Sequence, residues 1–489
     1  MIGHAAEIPE SRAASDPGGR CISGASASWT NAEFADQVRL ASGRLATLGI
    51  GAGDVVAAIL PNGTELVILM FAVWSRRAIL TPVNPVLTPD EVGYQLSDSA
   101  AKIVVTDEVS AGKVLQLSIT SLTTAMFQSV APHRTTTDTG ELHDLALLVY
   151  TSGTTARPKG VQLSHANISA MANVWMDWLE ITPADRCLLV LPLFHVNGIM
   201  VSVVGPLWAG ASVAIEPRFD VNTFWDVVAR ERPTYFSAVP AILSALTALP
   251  ADTGADASSL RFAGCGAAPA SAELLASFEG RYGVPVVEGY GLTECTVAAT
   301  IMPLHGPAKP GTVGVPLPGI DVALVDEDGN FIDGPAGELV IRGETVMRGY
   351  LGRPDETAKV LRDGWLHTGD IGYFDPDGYL VISDRLKDMV IWGGENISST
   401  EVERALTAHP RVLSAGVVGR PNERFGEEPV AFVVVSPGPP VSPSELIEFC
   451  ESRIARFKAP RDVWIVEALP QNSVGKTLKS SLRARVLKE

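Results

Sequence analysis

No two of the five cysteines in this 489-residue chain form a CxxC pair. Cys21, Cys187, Cys265, Cys295 and Cys450 are scattered, which suggests neither a zinc site nor a disulfide framework and fits a reducing, cytoplasmic setting. Charge is scarce: Asp, Glu, Lys and Arg make up 19% of the residues against 46% hydrophobic, the balance of a globular chain rather than a disordered one. Positive charge is scarcer still. A formal net charge of -17 argues against broad attraction to nucleic acid or an anionic membrane, so an anionic ligand must meet a local cationic site. Long apolar runs are missing too. Residues 66–74 are too few to span a bilayer, and 187–208 are interrupted by Pro192, His195, Asn197 and Gly198, so no membrane span is expected. The first 19 residues carry acids and prolines without an apolar segment, unlike a signal peptide.

What is present is length and alternation. A chain this long exceeds one ordinary core, so two or more packed units are expected. From 54 to 107 the pattern runs strand (55–60), amphipathic helix (65–77), strand (79–83), helix (90–97), strand (102–106), the signature of parallel sheet with helical crossovers. A second series places strands at 145–150, 187–191, 212–215, 235–239 and 284–287, with helices such as 271–282 between them. Between 311 and 350 the texture changes to short β-rich runs bounded by Gly and Pro, as in a small barrel or distorted sheet. After a strand at 379–383, the charged stretch DRLKDM at 384–389 breaks the pattern, and the remainder reads as a compact α+β unit. The expectation is an α/β chain: a large N-terminal domain (1–384) of layered α/β subdomains plus a small β-barrel-like region, then a smaller, mobile α+β domain (385–489). The segment before Ser26 shows no clear pattern and is assigned no role.

The sharpest motif is YTSGTTARPKGV at 150–161, placed between a strand and a helix expected to begin near Ser164. Such a strand-to-helix turn, dense in hydroxyls, Gly and one Lys, offers backbone amides and side-chain donors to phosphate oxygens. It is not a Walker A loop, because Lys159 precedes Gly160, and the later Gly475-Lys476-Thr477 has Pro470 where the first Gly is required.

Further blocks follow in order: LPLFHVNG at 191–198, GCGAAP at 264–269, EGYGLTE at 288–294, GELVIRG at 337–343, GWLHTGD at 364–370, DRLK at 384–387, GGENI at 393–397 and GK at 475–476. In this order and register they resemble the adenylate-forming superfamily of acyl-CoA synthetases, peptide-synthetase adenylation domains and beetle luciferases. The resemblance covers nearly the whole chain and implies an N-terminal AMP-binding domain with a C-terminal lid. It implies an ATP-dependent carboxylate–CoA ligase of the AMP-forming kind, with Mg²⁺ accompanying ATP and CoA as co-substrate. The alternatives are transfer to a carrier-protein thiol and, in another class, a non-catalytic sensor of nucleotide or acyl ligand. A monomer or homodimer is compatible with it.

The resemblance assigns roles residue by residue. Thr151, Ser152, Gly153, Thr154, Thr155 and Lys159 would hold phosphates. Gly266, Ala267 and Ala268, with Glu288, Gly289, Tyr290 and Gly291, would close over adenine, where large side chains would block it. Thr293 would donate to the α-phosphate and Glu294 would supply the hard oxygen a phosphate-bound Mg²⁺ needs. Asp370 is similar to the ribose-binding carboxylate, with Arg385 as a second contact. Lys476 is the main catalytic candidate, its ammonium neutralising the charge that builds as carboxylate and α-phosphate approach. Lys387 stands at the hinge position, Gly393 and Gly394 at the pantetheine tunnel, and His195, after Phe194, at the mouth of the acyl site.

Substrate class is narrowed by what stands at two positions. Amino-acid-activating relatives place an Asp where His195 stands, to pair the substrate ammonium. Malonate-type relatives need an arginine where Gly289 stands. A monocarboxylate with a fatty or aromatic tail is therefore expected, with Val196, Asn197, Val239, Gly264, Val297 and Ala298 as candidate walls. One departure from the family pattern is Ala156, where Gly is usual; a left-handed backbone there would cost about 1 kcal/mol.

Overall fold

The computed structural model describes residues 3–487 apart from 26, 134–136, 152–156, 252, 269, 307–308, 335, 386–387, 393–394, 423–425 and 472–476, and apart from the side chains of Glu395 and Asn396. The first alternating series forms one sheet. Val55–Ile59, Ile79–Pro82, Ile103–Thr106 and Thr120–Thr123 run parallel, and Leu145–Thr151 joins beside Ile79–Pro82. Every residue of Val55–Ile59 is buried, as expected of a parallel strand covered on both faces.

The second series builds a nine-stranded sheet around Arg186–Leu189, Ser212–Ile215, Tyr235–Ala238, Phe262–Cys265 and Val286–Tyr290, all parallel. The two sheets share one apolar core. Val56 and Ala58 of the first and Cys187, Leu189 and Val213 of the second fall in the same cluster, with the helix Thr64–Trp74 packed among them. That helix is apolar around its circumference, which its position in the core requires. Trp74 is wholly buried and satisfies its indole by donating to the Ala146 carbonyl at 2.9 Å.

The segment left without a role in the sequence is part of this core. Ile8–Ser15 is a helix, and Arg20–Ser23 adds a parallel strand beside Ser212–Ile215. Arg12, buried on that helix, donates to Asn31 Oδ1 at 2.8 Å and to the Leu207 carbonyl at 3.0 Å. A helix of two turns and a four-residue strand are too short for periodicity to reveal them; pairing with distant chain makes them.

The third region is a six-stranded antiparallel sheet running from Asp321–Val325 to Leu380–Arg385. A five-stranded sheet then begins at Val390–Trp392, covered by the helices Ser399–Thr407 and Pro443–Glu451 around its own core of Val390, Val402, Val417, Ala431 and Val433. Between them stands Asp384. Its buried carboxylate accepts from Ser399 N at 2.5 Å and Ser399 Oγ at 3.1 Å, at the N-terminus of the first helix of the small unit, where negative charge is favoured. Among the described residues, no helix is long and apolar enough to cross a membrane.

Candidate active site

The phosphate-loop motif departs from the strand-to-helix turn expected of it. Lys159–Ser164 is itself a strand, paired antiparallel with Leu145–Thr151 so that Thr151 faces Lys159 and Tyr150 faces Gly160. The helix His165–Trp178 begins only after it, capped by Ser164. The described ends of the motif thus lie on two paired antiparallel strands. Its β-branched and apolar Val161 and Leu163 bury in the core, which favours strand over helix there. Ser152, Gly153, Thr154, Thr155 and Ala156 lie outside the described residues.

Both of these strand ends are fastened. Tyr150 donates its hydroxyl to Asp98 Oδ2 at 2.9 Å, and Tyr94 donates to the Pro158 carbonyl at 2.9 Å while receiving Arg353 at 2.9 Å. Lys159 makes an ion pair with Glu356 and lies 4.9 Å from the centre of the Tyr350 ring. The Tyr350 hydroxyl donates to Glu294 Oε1 at 2.8 Å. Glu294 follows Thr293 in a single 3-10 turn, and its second carboxylate oxygen takes no partner among the described residues. A half-buried carboxylate with one free oxygen suits a hard divalent cation.

A second group forms one wall. Tyr290 donates to Asp370 Oδ2 at 2.7 Å, and Arg385 Nε lies 2.7 Å from Oδ1 across the pair Asp370 and Arg385 make in adjacent strands. The Arg385 contact is an ion pair without hydrogen-bond alignment, so Oδ1 of this buried carboxylate keeps unfilled acceptor capacity. An acceptor that an ion pair neutralises but no hydrogen bond fills has room for a ligand's donor. Burial, and the Asp370 charge after it, hold the Tyr290 phenol far above its usual range, so it stays a donor. Glu288, also buried, is pushed up to about 7 by burial, against the opposing pull of Arg404. Ala267 sits in the left-handed region at φ +66, strained backbone just after Phe262–Cys265, with Gly266 and the half-buried Ala268 on either side. A Cβ on Gly266 would meet nothing closer than the Gly289 carbonyl at 3.5 Å, so this strip is open.

The acyl side is built on the turn after Arg186–Leu189. The rings of Phe194 and His195 lie 4.6 Å apart, and burial pushes the imidazole down to about 4, which keeps it neutral at pH 7. Asn62, a buried residue in the turn after Val55–Ile59, holds this segment. It donates to the Leu191 carbonyl at 3.0 Å and accepts from Leu193 N at 2.9 Å, tying one sheet to the other immediately before Phe194. Asn197 accepts from Ser237 Oγ at 3.0 Å, and Ser237 pairs in register with Gly264. Val196 and Val239 are buried beside them.

Gly291 follows Tyr290 at a very close approach of backbone to backbone. A Cβ there would lie 2.2 Å from the Val297 carbonyl and 2.6 Å from Ala298 Cα, a fit that only glycine permits. Thr296 and Val297 take φ values of +58 and +104, and Thr296 Oγ1 secures the turn on the Thr345 carbonyl at 2.6 Å. A β-branched residue held in that region costs on the order of 1–3 kcal/mol and persists because its surroundings over-determine it.

Residues 9–351 match the family described as AMP-binding enzyme, and 401–476 match the AMP-binding enzyme C-terminal domain. The chain belongs to the AMP-binding enzyme family. Similar relatives include a feruloyl-CoA synthase of Amycolatopsis sp, 36% identical over 98% of each chain, and an oxalate–CoA ligase of Arabidopsis thaliana, 36% identical over 91% of each. Among solved structures, ATP-bound MatB from Rhodopseudomonas palustris superposes with a TM-score of 0.91 at 30% identity over 98% of each chain. The chemistry of this AMP-binding enzyme is the ATP-dependent joining of an acyl group to CoA.

In this AMP-binding enzyme, Tyr290, Asp370 and Arg385 form one group, Lys159 and Glu294 are linked through Tyr350 with Thr293 adjacent in the same turn, and Lys476, Lys387, Gly393 and Gly394 lie outside the described residues. Sequence reasoning missed Asn62, Ser237, Tyr350 and Glu356. Asn62 carried a signal: a Pro-Asn-Gly turn beyond the carboxyl end of a parallel strand is where α/β sheets place functional loops. Tyr350 and Glu356 carried none, because their partners are remote in sequence.

Proposed function

We propose that this ligase activates a monocarboxylate with an apolar or aromatic tail. The carboxylate oxygen attacks the α-phosphorus of ATP, the bond to pyrophosphate breaks, and an acyl-adenylate remains. The thiol of CoA then attacks the acyl carbon, AMP leaves, and a thioester forms. The observation that carries the reading is the buried Asp370 carboxylate, held between Tyr290 and Arg385 with Oδ1 outside any hydrogen bond among the described residues, which suits a ribose hydroxyl. Gly266, Ala267 and Ala268 with Glu288 to Gly291 then flank adenine, and Thr151 to Thr155 with Thr293 take the phosphates.

Glu294 would hold Mg²⁺ through its free oxygen; bound there, the ion screens phosphate charge and favours departure of pyrophosphate. Lys159, engaged by Glu356 and Tyr350, braces the hairpin base or turns to the phosphates when these arrive. Lys476 brings the ammonium that lets two anions meet, and its removal costs about 3 kcal/mol or more in that step. Turning at Lys387, the small unit then presents Gly393 and Gly394 to the CoA thiol. A monocarboxylate fits because Gly289 supplies no cation for a second carboxylate, and His195, pushed down to about 4, adds none at pH 7.

The test is a carboxylate panel read by acid-dependent exchange of pyrophosphate into ATP, followed by CoA. Lys476→Ala is expected to lose exchange yet still form thioester from supplied acyl-adenylate. Equal loss of both steps overturns the two-face scheme. Thioester formed only on a pantetheinylated protein moves the acceptor from CoA to a carrier, and exchange with no acid in the panel leaves a ligand sensor.

A further inference from the structure

The amide of Asn197 is half used. Its Oδ1 accepts from Ser237 Oγ at 3.0 Å, while its Nδ2, with two N–H donors, takes no partner among the described residues. Ser237 is buried at the centre of Tyr235–Ala238, and its hydroxyl fixes the orientation of the amide. In the neighbouring strand, Gly264 stands in register with Ser237; a Cβ on it would touch nothing nearer than 3.7 Å, from the Phe236 carbonyl and Ser237 Oγ. Gly264 thus leaves space beside the Ser237–Asn197 pair, and Val196, next to Asn197, and Val239, two positions past Ser237, are buried and apolar. Two residues before Asn197 stands the neutral His195, its ring against Phe194.

A purely hydrocarbon tail placed here would desolvate the Asn197 amide without replacing its water. We propose that Asn197, oriented by Ser237, is a specificity-determining residue that selects acids whose tail carries a hydrogen-bond-accepting oxygen, such as a hydroxyl, methoxy or keto group. The inference rests on the proposed carboxylate-activating role and refines its substrate class. Ser237 acts through Asn197 as a positioning residue. Discrimination of this kind is asymmetric: a site built to bond an oxygen rejects the analogue lacking it more strongly than an apolar pocket rejects an added oxygen.

The experiment uses the full-length enzyme and matched acids, among them cinnamate with 4-hydroxycinnamate, benzoate with 4-methoxybenzoate, and octanoate with its hydroxy and keto derivatives, read by pyrophosphate exchange. For at least one pair the oxygenated acid is expected to exceed its partner about tenfold or more in kcat/KM. Asn197→Leu brings that ratio below about threefold by raising KM for the oxygenated acid, with KM for ATP unchanged. Ser237→Ala, which leaves the amide in place but unoriented, narrows the ratio partway. Ratios within about threefold for every pair in the wild type, or an advantage that survives Asn197→Leu, overturn the inference while leaving carboxylate activation intact. Should Asn197→Leu fail to fold, Asn197→Asp, which keeps the acceptor for Ser237 and loses both donors, is read in its place. Exchange with none of the acids overturns the activating role itself and this inference with it.

Discussion

Tyr350 donates its hydroxyl to Oε1 of Glu294 at 2.8 Å, and its ring meanwhile lies beneath the ammonium of Lys159. One side chain thus connects the base of the phosphate hairpin to the carboxylate proposed for Mg²⁺. Tyr350→Phe keeps the ring and removes only the donor, leaving the carboxylate free to turn. KM for Mg²⁺·ATP is expected to rise roughly tenfold, as for a hydrogen bond to a charged group, with KM for the acid nearly unchanged. An unaltered KM for ATP in steady-state kinetics would show that Glu294 needs no such support.

The buried pair His4 and His165 should set the acid limit of stability. Their rings lie 4.1 Å apart, and among the described residues His4 Nε2 and both His165 nitrogens find no hydrogen-bond partner. Burial, and then the neighbouring His4, push His165 down to about 3; burial lowers His4 as well, against the pull of Glu7, the Glu141 backbone and Asp144. Folded values below the unfolded one mean that the unfolded chain takes up protons first as pH falls. The contribution is therefore complete above about 6.5 and is lost progressively on acidification. A melting curve taken at successive pH values should decline below 6.5 in the wild type and flatten in His165→Leu. Parallel curves for the two proteins would remove the pair from the explanation.

Asn62 offers a test of how the acyl gate is held. Asn62→Ala leaves Leu193 N and the Leu191 carbonyl buried without their partner, at a cost of about 2 kcal/mol. The melting temperature falls. More tellingly, KM for the carboxylate should rise several-fold while the affinity for AMP, measured by calorimetry, stays at the wild-type value. Equal loss of both would make Asn62 a general brace rather than a support for Phe194 and His195.

Much of this arrangement was legible in the order of residues. The strands 79–83, 102–106 and 212–215 announced themselves because buried parallel strands are continuous apolar runs, and the helix Ala272–Tyr282 because Ser271 caps it and Gly283 ends it. Three things were not legible. Arg20–Ser23 has no pattern of its own and becomes a strand by pairing with Ser212–Ile215. Lys159–Ser164 read as a turn into a helix because its six residues are flanked by hydroxyls and Gly, whereas burial of Val161 and Leu163 decides for a strand. Ser237, finally, looks like any polar residue in a strand until Asn197, forty positions away, is placed against it.

The wedge of Gly291 against Val297 and Ala298 bears on how such an enzyme can change its diet. The backbone that would cover the base and the backbone that would touch the acid are one piece, locked by contacts too short to admit a methyl group. A mutation that reshapes the acid's side of that piece is transmitted to the nucleotide's side. New preferences are then most easily acquired away from that wedge, at Asn197 on the short helix Val196–Ile199 and at Ser237 on Tyr235–Ala238.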